Sequence, residues 1–525
     1  MSHTRKITSD AEADQEIVTI ISTTSKGGRS LFETEEPVTG ANVDEYNSDP
    51  DVTEEAEREL RELGFRILDV GPATISVGGS AEQFQDVFGV ALEGKKKEVF
   101  DGEEAEYFDV EEDGEEMAGA LGDWAEGVTP VVPPEFHTES PLSPIAEPHS
   151  DAYHYFTVPD EVATILRATR VHRNGITGSK VEVAMPDTGF YEHEFYERRG
   201  YRTRSTILGP GASNPSQDNY GHGTGEAANI FAAAPDAQLI PVKMGNDAVG
   251  AFNKACNQSP DIITNSWGWS VDSPGTSWSD IRNRSRSLYN TLKAMEAAIA
   301  NAVNNGIVVC FSAGNGPGGY GFPASHPDVI AVGGVHVNYP DLDLEASSYA
   351  ASFDSSLYSG RQVPDLCGMV GDDVSSLPAP LLMLPVPPGS RLDTSSTGAA
   401  DDSWGLFSGT SAAAPQVAGV VALMLEKNNS LSPSDVKKKL VNQAAKDVTK
   451  GQSAMGDSAG PGDDAATGAG MVDAKWAWVV SMGDTMARFF EATPERRERL
   501  IEEDAVPEID GEFVEDMMQT LRSRS

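Results

Sequence analysis

The chain has 525 residues, room for one large domain, a smaller companion and a tail, and its 82 Asp and Glu against 39 Lys and Arg give a formal net charge of −43. So acidic a surface argues against nucleic acid or anionic lipid as a partner and fits a protein kept hydrated in concentrated salt, which makes a halophilic source the expectation. No long apolar run and no basic-then-apolar N-terminus is present, so neither a membrane span nor an export signal is predicted, and a cytoplasmic monomer is expected.

In chain order, residues 16–22 (EIVTIIS) read as a strand, followed by a helix from about residue 53 with Leu60 and Leu63, then strands through FRILDV and ATISVGG. Ser80 and Gln83 have capping-box spacing for a second helix with Phe84, Val87 and Phe88 on its apolar face, and VALEG resumes extended structure. The order βαββαβ predicts a small ferredoxin-like α+β domain within residues 1–130. Residues 101–150 turn acidic and then proline-rich without helical or strand period, which predicts a linker, its proline-rich part at 131–155.

From about residue 180, short apolar runs (VEVAM, AQLIPVKM, DIITNSW, GIVVCFSA, DVIAVGGV) alternate with helical segments such as TLKAMEAAIANAVNN. Such runs suit strands buried on both faces, so a doubly wound, mostly parallel α/β domain is predicted over 156–480. Residues 370–403, rich in Pro, Ser and Asp, predict a surface excursion, and 481–525 an acidic helical tail. Cys256, Cys310 and Cys367 show no metal-ligand spacing, and an odd number cannot pair fully, so small core residues are expected.

The segment FSGTSAAAPQVAGVVALML places Ser411 after Gly409 and Thr410 at the start of a helix apolar on nearly every side. Free N–H groups and the helix dipole there favour developing negative charge, and Pro415 in the first turn removes no helical hydrogen bond. Alone, this describes an ordinary N-cap as well as a nucleophile. Together, DTG at 187–189, GHGTG at 221–225, SAGNG at 312–316 and GTSAAAP at 409–415 resemble, in order, the subtilisin-like serine peptidases, from VEVAMPDTG through to TGAGMVDA. The resemblance implies a serine endopeptidase with Ser411 as nucleophile, His222 as general base, Asp187 orienting the base and Asn315 completing an oxyanion hole. Acyl transfer needs those four functions, because a serine hydroxyl is a weak nucleophile until its proton is taken. A lone DTG does not suffice for an aspartic peptidase, which needs two carboxylates.

Several positions depart from that family. Pro186 predicts that its strand stops before Asp187, because proline cannot donate to a ladder. Gly225 stands where subtilisins carry a second histidine, and the short stretch from His222 to Pro235 lacks the loop of their tight calcium site. The shortened helix resembles that of sedolisins, aligning His222 with their catalytic glutamate and Glu226 with their aspartate, and residues 1–150 resemble a sedolisin pro-domain. The resemblance implies a self-inhibiting N-terminal unit with processing in 131–155. His222 and Asn315 imply chemistry at neutral pH, and Glu226, on the same helical face as His222, is expected to favour the imidazolium and raise the histidine pKa without itself taking the proton from serine. A sedolisin-type acid peptidase using Glu226 and a non-catalytic scaffold are the rival readings.

By the same resemblance, Ser266, Trp267 and Gly268 with Ser312, Ala313 and Gly314 flank a polypeptide substrate added as a strand, with a leaning to an apolar residue before the scissile bond. Trp267 and Trp269 either line that groove or pack as its wall. A calcium site is implied at Asp447, the carbonyls of Val448, Gly460 and Gly462, and Asp464, an all-oxygen set that suits a hard cation.

Overall fold

The computed structural model describes residues 5–6, 16–100, 103–110, 117–136, 155–338, 341–371, 381–393 and 402–483. In the N-terminal unit, β1 (Glu16–Thr23) is buried along nearly its whole length. It is followed by α1 (Pro50–Glu62), β2 (Arg66–Val70), β3 (Thr74–Ser80) and α2 (Ala81–Phe88). The Ser80 hydroxyl caps α2 by accepting the Gln83 N–H at 3.1 Å. The Gln83 side chain donates to the Leu63 carbonyl instead of returning to the cap, so only half of the capping box forms.

VALEG is not the fourth strand of this sheet. Residues Glu93–Phe100 (β4) and Glu103–Asp109 (β5) form a separate hairpin, and β6 (Ala125–Pro130) closes the antiparallel sheet in the order β2–β3–β1–β6. Lys95, Lys96 and Lys97 keep β4 half in solvent, whereas β6 is buried from Gly127 to Pro130. A Cβ at Gly127 would come within 2.2 Å of the Phe32 ring, so the strand needs glycine where a strand pattern calls for a side chain. The linker expected at 101–150 is thus corrected: β5 and β6 lie in it, Val131 and Val132 are buried, and β7 (Glu135–Phe136) pairs onward. Residues 137–154 of the expected linker, and the tail from 484, lie outside the described residues.

The larger unit contains, in chain order, β8 (Glu182–Asp187), α3 (His222–Ala233), β9 (Gln238–Lys243), α4 (Ala248–Cys256), β10 (Ile262–Asn265), β11 (Trp267–Ser270) and α5 (Arg286–Asn304). There follow β12 (Val308–Ser312), β13 (Gly321–Phe322), β14 (Ile330–Asn338), β15 (Leu366–Met369), β16 (Leu381–Pro385), β17 (Trp404–Phe407), α6 (Thr410–Lys427) and β18 (Met471–Val472). The central sheet runs β9–β8–β10–β12–β14–β15–β18 with every pair parallel. Alternate residues of its strands feed two cores, one shared with α3 and α6 and one with α4 and α5, so helices cover both faces. The chain steps from β8 outward to β9 and then back past β8 to β10. Loops diverge beside the C-terminal end of β8, the place where doubly wound sheets build sites.

Strand β8 does not stop before Asp187; it pairs with β9 through Pro186 and Asp187. Along β8 the even positions face β10, as Glu182 does in accepting the Asp261 N–H, and the ladder with β10 ends at Ala184. The N–H that Pro186 lacks would therefore meet no strand, and its carbonyl accepts the Trp267 indole N–H at 2.9 Å. The excursion expected at 370–403 is corrected too: β16 pairs with β17 and with residues Tyr155–Thr157, burying Leu382, Leu384 and Val386 completely. All three cysteines are free, with Cys310 and Cys367 in the core.

The N-terminal unit packs on α5 and its surroundings through specific polar contacts. Asn47 and Asn301 exchange amide hydrogen bonds of 2.7 and 2.8 Å, and the buried Lys293 ammonium donates to the Glu36 carbonyl at 3.1 Å. Asp328 accepts the Gly40 N–H at 2.7 Å.

Candidate active site

Asp187 ends β8 and His222 opens α3, and both are essentially inaccessible to solvent. Their side chains meet at 2.7 Å, Asp187 Oδ1 to His222 Nδ1. This approach requires Gly223, because a Cβ there would lie 2.3 Å from the Gly189 carbonyl and 3.0 Å from Asp187 Cβ. The start of α3 is held by a residue that sequence reasoning missed. Asp218, itself buried, accepts from Thr188 Oγ1 (2.8 Å), Gly221 N–H (2.9 Å), Thr224 N–H (2.9 Å) and Thr224 Oγ1 (2.7 Å), tying the Asp187 loop to the His222 helix. An aspartate four residues before a helical histidine was the signal for it, since acidic groups satisfy the orphan donors of a first turn. Gly225 also has a packing reason: the Phe407 ring would sit 2.4 to 3.1 Å from a Cβ.

Gly409, at φ 110° and ψ 151°, takes a backbone conformation open to glycine and delivers Ser411 to the first turn of α6. Asn315 Oδ1 accepts both the Thr410 N–H and its hydroxyl at 3.0 Å, which turns the amide nitrogen away from Thr410. Helices α3 and α6 touch at Asn229 with Gln416 and at Ala233 with Gly419. Because both numbers rise together, the helices run side by side in one direction, and His222 and Ser411 lie at the same end. A Cβ on Gly419 would lie 2.7 Å from Ala233 Cβ and from the Ile230 carbonyl, so the approach is set by the missing side chain. Ser411 Oγ donates to the Ser266 carbonyl (3.3 Å), and Ser266 Oγ donates to the Ser411 carbonyl (2.9 Å). Among the described residues His222 Nε2 makes no hydrogen bond, a looseness common in a free enzyme.

Glu226, fully buried, brings Oε1 to 3.7 Å from His222 Nε2 and accepts the Asn229 amide on Oε2 at 2.9 Å. Burial pushes its carboxyl up to about 8, against the pull of the imidazole. For His222, burial disfavours the cation, but Asp187 first and then Glu226 outweigh it and push the imidazole up to about 9. Two buried carboxylates thus both favour the charged imidazole, the direction expected of Glu226 from sequence.

Strand β11, which carries Trp267 and Gly268 next to Ser266, lies between β13 and β7, antiparallel to both. Both its edges are therefore taken by the chain itself, with Phe136 opposite Trp267 and Glu135 opposite Gly268 on one of them. The Phe136 ring stands edge-on to His222 at 5.7 Å and stacks on Phe100 from the β4–β5 hairpin at 4.4 Å; Phe100 in turn stacks on Tyr220. Lys97 of that hairpin donates to the Pro133 carbonyl (3.1 Å) and pairs with Glu135 (3.2 Å). Trp267 and Trp269 line no open groove. Both are fully buried, Trp267 against Phe311, and Trp269 donates to the Val132 carbonyl at 3.2 Å. Ser312, Ala313 and Gly314 are buried at the end of β12 beside Thr410, whose hydroxyl accepts the Gly314 N–H at 3.3 Å.

A model of the subtilase family matches residues 178–470, more than half of the chain and all four candidate residues. The chain belongs to the subtilase family. It is a serine-type endopeptidase with a subtilisin-like fold. Among its relatives is Subtilisin NAT of Bacillus subtilis subsp. natto, 28% identical over 325 residues, covering 59% of this chain and 72% of that protein. Subtilisin of Bacillus pumilus is also 28% identical, over 309 residues, covering 55% and 92%. Among solved structures, fervidolysin of Fervidobacterium pennivorans, a keratinolytic enzyme related to subtilisin, matches with a TM-score of 0.53 at 18% identity, a likeness of fold. The match covers 90% of this subtilase but only 62% of fervidolysin.

In this subtilase the expected calcium ligands fall on one loop. Gly462 N–H donates to Asp447 Oδ1 (3.0 Å), and Gly460 N–H donates to Asp464 Oδ2 (2.9 Å). Asp464 also accepts the Thr467 N–H and hydroxyl. Val448, adjacent to Asp447, is buried. Among the described residues no group of three or more His, Cys, Asp or Glu side chains is arranged to hold a metal. The expected site needs only two carboxylates, and carbonyls from the glycines between them.

Proposed function

We propose that this subtilase hydrolyses peptide bonds through an acyl-enzyme on Ser411. The observation that carries the reading is the buried 2.7 Å pair of Asp187 and His222 at the end of α3, beside a parallel helix that begins at Ser411. Ser411 Oγ turns from the Ser266 carbonyl to His222, gives its proton to Nε2 and bonds to the substrate carbonyl carbon. Asp187 holds Nδ1–H and stabilises the imidazolium, while Asn315 and the Ser411 N–H receive the oxyanion. His222 then protonates the leaving amine as the C–N bond breaks, and water, deprotonated by the same imidazole, releases the acyl group.

In this reading the N-terminal unit is a pro-domain and its own intramolecular inhibitor, since β7 occupies the β11 edge that a substrate strand would use and Phe136 covers His222. Substrates are accordingly extended polypeptides. The calcium expectation fits the chemistry of the loop: Asp447 and Asp464, with the Val448, Gly460 and Gly462 carbonyls, would hold the ion, and its contribution there would be structural. The relatives matched are subtilisins, which favours His222 over Glu226 as the base.

The test is labelling of the purified protein with a fluorophosphonate followed by peptide mapping. The adduct is expected on Ser411, and an absence of labelling, or an adduct elsewhere, overturns the reading.

A further inference from the structure

Behind Glu226 lies a line of buried amides that the catalytic scheme above does not use. Gln416, on α6 five residues past Ser411, is fully buried. Its Oε1 accepts the Met369 N–H at 2.9 Å and its Nε2 donates to the Met369 carbonyl at 2.9 Å, both groups belonging to the backbone of β15. A main-chain N–H can only donate and a carbonyl can only accept, so the sense of the Gln416 amide is fixed. The same Nε2 donates to Asn229 Oδ1 at 3.1 Å, so Asn229 must present its oxygen to Gln416 and turn its amino group the other way. That group meets Glu226 Oε2 at 2.9 Å, and Glu226 must accept. A protonated carboxyl offering O–H at that oxygen would face a donor. The remaining oxygen, Oε1, has no hydrogen bond to a described residue and lies 3.7 Å from His222 Nε2.

We propose that Gln416 and Asn229 are positioning residues, a directional relay through which the backbone of β15 keeps Glu226 as an acceptor carboxylate facing the general base. The proposal rests on His222 being that base. The other ionisable groups around Glu226 are Asp187 on β8, Asp218 before α3 and the Tyr196 phenol, whose hydroxyl donates to the Thr224 carbonyl. Helix α6 contributes the uncharged Gln416. Among these contacts only the imidazole and the Asn229 amide favour the ionised carboxylate, while burial opposes it. Without the amide, the ionised form of Glu226 keeps only the imidazole in its favour, and its hold on the imidazolium weakens.

The experiment measures the rate of fluorophosphonate labelling of Ser411 against pH in the full chain after it has processed itself. Asn229→Leu and Gln416→Met, both close in volume to the originals, are each expected to move the acid limb to lower pH, the direction expected of Glu226→Gln. On that limb the labelling rate rises about tenfold for each unit moved. In combination with Glu226→Gln neither should move the limb further. A limb unmoved in both single variants while Glu226→Gln moves it, or shifts that add, overturns the relay. A second readout needs no amide variant: the infrared difference between wild type and Glu226→Gln, taken at the midpoint of the limb, should show loss of a carboxylate band. Loss of a protonated carboxyl band overturns the relay as well. Failure of wild-type Ser411 to label at all would instead defeat the acyl-enzyme reading, so the two failures are distinct.

Discussion

Glu226→Gln keeps the shape of the side chain and an oxygen for the Asn229 amide, and removes one charge 3.7 Å from His222 Nε2. At about 4 Å a unit charge is worth about 4 kcal/mol at an effective dielectric of about 20 and about 1 kcal/mol at that of water. At about 1.4 kcal/mol per pKa unit, the imidazole should fall by between about 1 and 3 units. Opening of the cleft to water favours the lower half of that range. The sign follows from the proposed scheme: the base works only when neutral, a charged Glu226 favours the imidazolium, and removing that charge eases deprotonation. The acid limb of kcat/KM on a chromogenic peptide should therefore move about 1 to 2 units below its wild-type position, with higher activity at neutral pH. An unmoved limb would refute the electrostatic reasoning, and complete inactivation would assign Glu226 a direct part in proton transfer.

Ser411→Ala or His222→Ala should each lower peptidase activity by several orders of magnitude without unfolding the protein, and the double variant should be scarcely worse, since nucleophile and base act as a unit; more than a few per cent residual activity in purified His222→Ala contradicts the scheme. Wild-type protein should cut itself between about residues 130 and 155, while Ser411→Ala accumulates at full length; equal cutting of both on a gel rules out self-processing. Phe100→Ala removes the ring stacked on Phe136 and Tyr220, at a cost of about 0.5–1.5 kcal/mol beyond burial, so the time course of activity should show earlier release from inhibition, and an unchanged lag counts against the hairpin as a clamp. Chelation should lower the thermal midpoint of the wild type, and Asp447→Ala with Asp464→Ala should show that lower midpoint without further response to chelator; an equal response in both places the ion elsewhere.

The four candidate catalytic residues were legible because each lies in a glycine-bearing turn whose spacing is local, and the parallel sheet because its strands are apolar without alternation. Other features depend on partners distant in the chain. Pro186 stays in its strand because the neighbouring ladder has ended and Trp267 takes its carbonyl, neither of which is visible around residue 186. Strand β6 escaped notice because Phe32, from another part of the unit, demands glycine at 127. The mixture of tryptophan, glycine and proline at 124–134 has no period, yet supplies the closing strand and leads directly into β7. Asn229 and Gln416 look like ordinary polar positions on two helices until packing sets them against each other.

The contact of Gly419 with Ala233 and Ile230 makes one missing methyl the spacer between the helix that carries Ser411 in its first turn and the helix that opens at His222. In most helices, exchanging an interior glycine for alanine gains up to about 1 kcal/mol of propensity. Here the added carbon would have to wedge the two helices apart, and the shift would be passed along both helices to their leading turns. A design strategy aimed at heat tolerance would select this residue, remote from any bond made or broken, and obtain a protein whose defect appears in turnover.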